Sequence, residues 1–536
     1  MYREAKMAGE SEGGGRRGRR DGLREGRRES RRGGRQAETR DRPARDIDYR
    51  HLHNPFPPMR VYSDDQVAHI HDTALRVLEE LGMKVLLPKA REFFKAAGAE
   101  VDESSAMVRI DRALVAEALR TAPSEIPVIA GTPERSYTLG GDRVVFGSVA
   151  GAPHASDTDR GKRPGTLSDF RDLTRLCQSF DVIHFLGPVV EPQDIDTATR
   201  HLETGRIALF DSDKLAFVFA RGTPQARDCF EMIKLARGLP NDEALRRAVY
   251  CQTVINTNSP LTLDSPMANG IIDFAEMGQL LIITPFCLSG AMAPITISGA
   301  LTQQHAEALA AITLSQIVRP GSPVMYGSFS SNVDMKSGSP AFGTPEHVKT
   351  SFGAGQLARH IDLPWRSAAG TASNIADAQA TYETSASLWA AVMSGSDLIL
   401  HGAGWLEGGL TASYEKFIID IEMLQGFAEM FAPVPASEDD LGFSAMAEVG
   451  PGGHYFAAEH TMSRYQTAFY EPVVSDWRNF GQWTEAGAPT ATERANTIWK
   501  RVLEEFEPPT LDIARKDAVN DFVERRIREG GALPES

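Results

Sequence analysis

Residues 323–370, PVMYGSFSSNVDMKSGSPAFGTPEHVKTSFGAGQLARHIDLPWRSAAG, hold one complete structural unit. An apolar run at each end brackets a helical pattern, PEHVKTSFGAGQLARHI. Strand, crossover helix and strand in that order build a parallel sheet, because parallel neighbours cannot be joined by a tight turn. The loop between Tyr326 and Glu346 is the odd part. Connections here need two to six residues, and this one uses about eighteen, with Gly, Pro, two Phe and two acids.

The same unit recurs along the chain. Apolar runs stand at 144–148, 182–190, 214–220, 248–256, 280–290, 323–329, 364–370 and 397–404. A helical pattern follows each, often opened by Ser, Thr or Asp and closed by Gly. Eight alternations over about 290 residues match a closed (β/α)8 TIM barrel of the α/β class, with an open doubly wound sheet as the other arrangement. No GxGxxG follows a strand and no phosphate loop is present, which argues against the nucleotide-binding open sheet. The boundaries read as a basic disordered tail at 1–47, a mixed helix and short-strand region at 48–140, the barrel at 141–435 and a C-terminal helical extension at 436–536.

The net charge of −15 is unevenly placed, since residues 1–60 carry 17 basic and 10 acidic side chains. The Arg- and Gly-rich tail has almost no apolar residue to bury and no aromatic to stack on bases, so a solvated extension or an overlong start fits better than a nucleic-acid or membrane arm. No apolar stretch reaches the roughly 18 residues of a membrane span. A soluble, cytoplasmic protein is expected. Cys177, Cys229, Cys251 and Cys287 lie apart in apolar segments, as reduced core residues do. His69 and His71 point to different faces of a helix, and no zinc signature, CxxC or GxSxG elbow occurs, so no metal site is expected.

In a barrel the site lies in the loops after the strands. Those loops are rich in Gly, Ala, Ser and Thr, with isolated large residues at Tyr326, Phe329, Phe342, Tyr382, Trp405 and Tyr414. Asp334, Glu346, Glu383, Glu407 and Glu415 add negative charge. Aromatic faces with carboxylates around a cavity suit a cation, above all a quaternary ammonium, which donates no hydrogen bond. Any one of these residues is as readily explained by packing; the set together makes the ligand pocket.

Three long strings add a resemblance: SNVDMKSGSPAFGTPE (331–346), HGAGWLEGGLTASYEKFIIDIEM (401–423), and GPGGHYF (450–456) with EHT (459–461). They resemble the trimethylamine methyltransferase (MttB-like) corrinoid methyltransferase family, over about residue 60 to the C-terminus. The resemblance implies a barrel that passes a methyl group from a methylated amine to the Co(I) of a separate corrinoid protein. Every residue here is one of the twenty, so the chain looks like the non-pyrrolysine branch, whose substrates are quaternary amines such as glycine betaine. It lacks DxHxxG, so the corrinoid is expected on a partner and none bound tightly here. A direct amine-to-tetrahydrofolate methyltransferase and a non-catalytic quaternary-amine sensor stay open, as does a homo-oligomer.

On this reading Trp405, Tyr326 and Phe329 form the amine cage, joined by Glu407 and Tyr414. Asp334 or Glu383 supplies fixed negative charge at the catalytic centre beside His401. A substrate carboxylate would meet Lys336, Arg366, His401 or His460.

Overall fold

The computed structural model describes residues 47–535; the expected tail at 1–47 lies almost wholly outside them. By chain contacts, Ala436–Tyr470 form one compact unit, and Ile47–Pro435 with the residues from Glu471 onward form the other.

The larger unit is built on a curled eight-stranded sheet. Seven strands are mutually parallel and carry the site: β1 (Arg143–Phe146), β2 (Ala216–Phe217), β3 (Cys251–Ile255), β4 (Leu280–Ile283), β5 (Val324–Gly327), β6 (Trp365–Ala368) and β7 (Leu398–Leu400). They run in the order β2-β3-β4-β5-β6-β7-β1, and Leu52–His53 adds antiparallel to the far side of β1. Helices cross between them: α1 (Leu167–Ser179), α2 (Arg200–Phe210), α3 (Thr223–Arg237), α4 (Ser265–Met277), α5 (Ile297–Val318), α6 (Pro345–His360), α7 (Ala378–Met393) and α8 (Tyr414–Phe431). Side-chain caps start most of them, from the Thr166 capping box on α1 to Ser413 on α8.

The expected strand at 182–190 forms no regular ladder. Instead, Phe185 makes single parallel bridges to Gly147 and to Leu215, so this segment stands between β1 and β2. The physical reason is local: the Phe146 N–H donates to the His184 imidazole Nδ1 at 3.0 Å, where a ladder would offer a carbonyl. Buried and beside Lys214, that imidazole stays neutral, its pKa pushed down to about 3 chiefly by burial.

Alternation along the parallel strands sends every second side chain to the concave face. Val145, Leu280, Ile282, Met325, Leu398 and Leu400 gather there with Phe185. A hairpin, Ile126–Val128 with Tyr137–Leu139, packs its Ile126, Val128, Tyr137 and Leu139 into the same cluster. The concave face is therefore floored by apolar side chains on the side where the strands begin. The opposite parity, including Cys251, Ile255, Leu281, Ile283, Val324 and Trp365, packs on the helices.

The helical extension is only partly as expected. Ala491–Glu504 docks on α8, where Trp499 packs against Tyr414 at 4.8 Å and donates to Glu415 at 3.0 Å. Ile513–Arg528 returns to α3, with Arg526 paired to Asp228 at 2.8 Å. In the smaller unit the helices shrink to Phe443–Val449 and single turns. Among the described residues no helix is long and apolar enough to cross a membrane.

Gly147 has no side chain because Phe185 occupies that space: a Cβ would stand 2.2 Å from its ring. Gly147→Ala should cost about 1–3 kcal/mol by overpacking, read as a lower thermal midpoint, and Phe185→Leu in the same chain should recover part of it.

Candidate active site at the loop end of the sheet

Where the strands end, five rings meet. Phe329, two residues beyond β5, lies face to face with Phe286 at 5.5 Å and with Phe342 at 4.9 Å. The Trp405 indole stands edge-on to Phe329 at 5.4 Å, and the His401 ring lies 3.9 Å from Trp405 and 5.2 Å from Phe329. Phe286 and Phe329 stay partly exposed while Phe342, Trp405 and His401 are buried, so the pair of phenyl rings borders the opening.

The backbone explains why His401 joins the ring set. It follows β7, where Leu400 already faces the concave side, and strict alternation would send His401 outward. A left-handed turn at His401, φ 62°, breaks the alternation. Its N–H donates to the Ser148 carbonyl at 3.1 Å and Gly402 N–H to the Gly147 carbonyl at 2.8 Å, which locks the kink to the end of β1.

Arg366 supplies the charge. It sits on β6 with 1% of its surface exposed, and its Nη1 donates to the Ser328 carbonyl at 3.0 Å. Its guanidinium carbon lies 5.5 Å from the Phe329 ring centre, and its Nε has no partner. Among the described residues no carboxylate pairs with it, and burial alone pushes its pKa down to about 9. His401, buried beside this cation, is held well below the usual imidazole range and is neutral; its Nδ1 is also unpartnered. So is the Trp405 indole N–H, as is the whole carboxamide of buried Gln252 on β3. Buried polar groups without partners are costly, and four residues in this state on the concave face and its rim describe the complement of a small polar ligand.

The expected residues divide. Phe329, His401, Trp405 and Arg366 come together. Tyr326 does not: it falls on the outward parity of β5, where its hydroxyl meets Gln304 and His305 of α5 at 3.1 Å each. Tyr414 starts α8 and donates to Asp169 at 2.9 Å, under the Arg160 guanidinium, away from the ring set. Asp334 and Lys336 are exposed in the long loop, where the Asp334 carboxylate accepts from Lys336 N–H, Ser337 N–H and the Ser337 hydroxyl and so shapes its own turn. Glu407 is taken by Lys162 at 2.5 Å and by Thr411. His460 lies in the smaller unit, its Nε2 at 3.1 Å from the Asp439 carbonyl.

Glu383 on α7 is buried but engaged: it accepts from the Thr371 hydroxyl, the Ala372 N–H and the Gln379 amide at 2.5, 2.9 and 2.9 Å. That is a clamp on the loop after β6. Phe286 and Gln252 were missing from the expected set; Gln252 stands on β3 and Phe286 three residues past β4, within apolar runs whose parity would have marked them. Among the described residues no cluster of three His, Cys, Asp or Glu side chains could hold a metal ion.

With this geometry in place, comparison with known proteins defines the class. The family model described as trimethylamine methyltransferase (MTTB) matches residues 24–531, and the chain belongs to that family of methyltransferases. Glycine betaine methyltransferase of Desulfitobacterium hafniense (strain Y51) is 34% identical over 478 residues, 89% of this chain and 99% of that protein. Trimethylamine methyltransferase MttB of the same species (strain DSM 10664 / DCB-2) is 29% identical, over 88% and 94% of the two chains. Among solved structures, the hydroxylamine complex of MtmB aligns over 85% of this chain and 97% of its own at 12% identity and a TM-score of 0.44.

If Glu383 is a clamp, Glu383→Ala should leave three donors without an acceptor and cost about 1–3 kcal/mol. A fall in the thermal midpoint checks it; an unchanged midpoint with lost turnover would make Glu383 catalytic instead.

Proposed function

We propose that this chain moves a methyl group from a quaternary amine bearing a carboxylate, of the glycine betaine kind, to the Co(I) of a corrinoid held by a second protein. The observation that carries the carboxylate is Arg366, a buried cation with a free Nε and, among the described residues, no acid to meet it. Its planar fork suits a carboxylate. The Phe286 ring and the Trp405 indole would hold the ammonium, backed by Phe329 stacked between Phe286 and Phe342, each contact contributing about 0.5–2 kcal/mol when desolvated. The carboxylate would offset the Arg366 charge, and the ammonium would be left to the aromatic rings. The name of the glycine betaine relative supports this choice over trimethylamine.

The residues explain how little proton chemistry is needed. As the N–CH3 bond breaks, its electron pair stays on nitrogen and the leaving group is a neutral tertiary amine, so no acid has to protonate it. The methyl passes to the nucleophilic metal of the second substrate. What the chain does is exclude water, fix the carboxylate on Arg366 and aim one N-methyl at the opening. Neutral His401 fits such a site, since a second positive charge beside the ammonium would oppose binding.

The same reading takes the curled sheet as a closed (β/α)8 barrel with 182–190 as its remaining strand. The parallel bridges Gly147 to Phe185 and Phe185 to Leu215 support it.

The decisive experiment is methylation of free cob(I)alamin by the purified protein with a panel of N-methylated amines. Turnover with glycine betaine above background is expected; binding without turnover would leave an amine sensor, and turnover that requires only tetrahydrofolate would remove the corrinoid. In calorimetry Arg366→Met should weaken glycine betaine at least about tenfold, the scale of one charged hydrogen bond, and should not weaken tetramethylammonium. Trp405→Ala should weaken both.

The pH dependence follows from the same cation. The ammonium does not titrate and the substrate carboxylate is ionised throughout, so affinity should be flat from pH 6 to 8. It should fall as pH rises through about 9, where free Arg366 loses its proton. Tetramethylammonium should show no such fall.

A further inference from the structure

Behind the loop that carries His401 and Trp405 lies a pair of opposite charges that touches neither. Lys416 and Asp420 stand one turn apart on α8 and are fully buried. The Lys416 ammonium donates to Asp420 Oδ1 and, at 2.9 Å, to the Thr384 hydroxyl on α7. The other oxygen, Asp420 Oδ2, accepts the Gly404 N–H at 2.8 Å. Gly404 lies next to Trp405 in sequence, in left-handed backbone at φ 91°, and its carbonyl in turn accepts from the Ser413 N–H at 2.9 Å.

Stability alone is a poor reason for such a pair. Taking two charges out of water costs several kcal/mol each, and apolar residues of similar volume often serve as well or better. Most of the buried face of α8 takes that course, with Phe417, Ile418, Ile421, Leu424, Phe427 and Phe431, and the other buried acid on it, Glu415, is satisfied by Thr158, Asn496 and Trp499. What an apolar pair could not give is an acceptor at one fixed point for the Gly404 amide. Lys416 offsets the charge that this acceptor brings: one carboxylate oxygen meets the ammonium while the other meets the Gly404 N–H.

We infer that Asp420 is a positioning residue: its side-chain oxygen fixes Gly404 and so sets the Trp405 indole against His401 and Phe329 in the site, while Lys416 offsets its charge. The consequence for amine binding rests on the function proposed above; the consequence for the loop does not.

Two double variants separate position from charge. K416M/D420N removes both charges but keeps a side-chain oxygen for Gly404. K416M/D420L removes the charges and the acceptor together. Neither leaves an unpaired buried ion. In the intact chain, deuterium exchange of peptides covering 401–406 should be near wild type in the first and at least about tenfold faster in the second, the scale of one lost hydrogen bond. Glycine betaine affinity should follow, within about threefold of wild type in the first and about tenfold weaker in the second.

Equal exchange in the two variants overturns the inference, whether or not the amine binds. If wild-type protein binds no quaternary amine, the proposed function fails and exchange alone still decides the role of Asp420. Should the leucine variant not fold, K416M/D420A, which is smaller and equally free of unpaired charge, takes its place in the same comparison.

Discussion

Alternation across a parallel strand is the constraint on which the site depends. A side chain on β5, β6 or β7 is either inside the curve of the sheet or among the helices, and one residue of displacement exchanges the two. Met325, Arg366, Leu398 and Leu400 therefore face inward, while Tyr326, Trp365 and Ile399 pack outside. The left-handed turn at His401 is the one departure that brings an extra ring into the site, and two backbone hydrogen bonds to the end of β1 hold it.

Much of this was legible from the residues. The strand and helix alternation and the caps follow from local patterns, and the long strings at 331–346 and 401–423 carry the family resemblance. The parts that were not legible have physical causes. A side-chain imidazole replaces a ladder carbonyl at 182–190, and no hydropathy pattern reports that. Tyr326 looked like a loop aromatic because it borders the loop, yet it is the next-to-last residue of a strand and faces α5. Asp334 looked like free charge, but short polar neighbours in a Gly-rich loop gave it hydrogen bonds within its own turn. Arg366 was one of four possible carboxylate partners. Only its burial without an acid sets it apart from Lys336 and His460.

The carboxylates show the same distinction between presence and availability. Glu383, Glu407 and Glu415 all stand near loops, and each is already satisfied: by Thr371 and Ala372, by Lys162, and by Thr158, Asn496 and Trp499. They organise backbone. Of the buried groups left with unmet hydrogen bonds, those of Arg366, His401, Trp405 and Gln252 sit on or beside the concave face, which is where charge complementarity to a ligand has to be found.

The apolar floor made by Phe185, Met325 and the hairpin at Ile126–Leu139 has a kinetic meaning. In the closed barrel proposed above, a molecule seated above it would have one way in and the same way out. When the second substrate is itself a macromolecule that must cover that opening, the small substrate has to load before it arrives and the product must wait until it leaves. Turnover on such a protein would follow a compulsory order, set by the position of a hydrophobic plug.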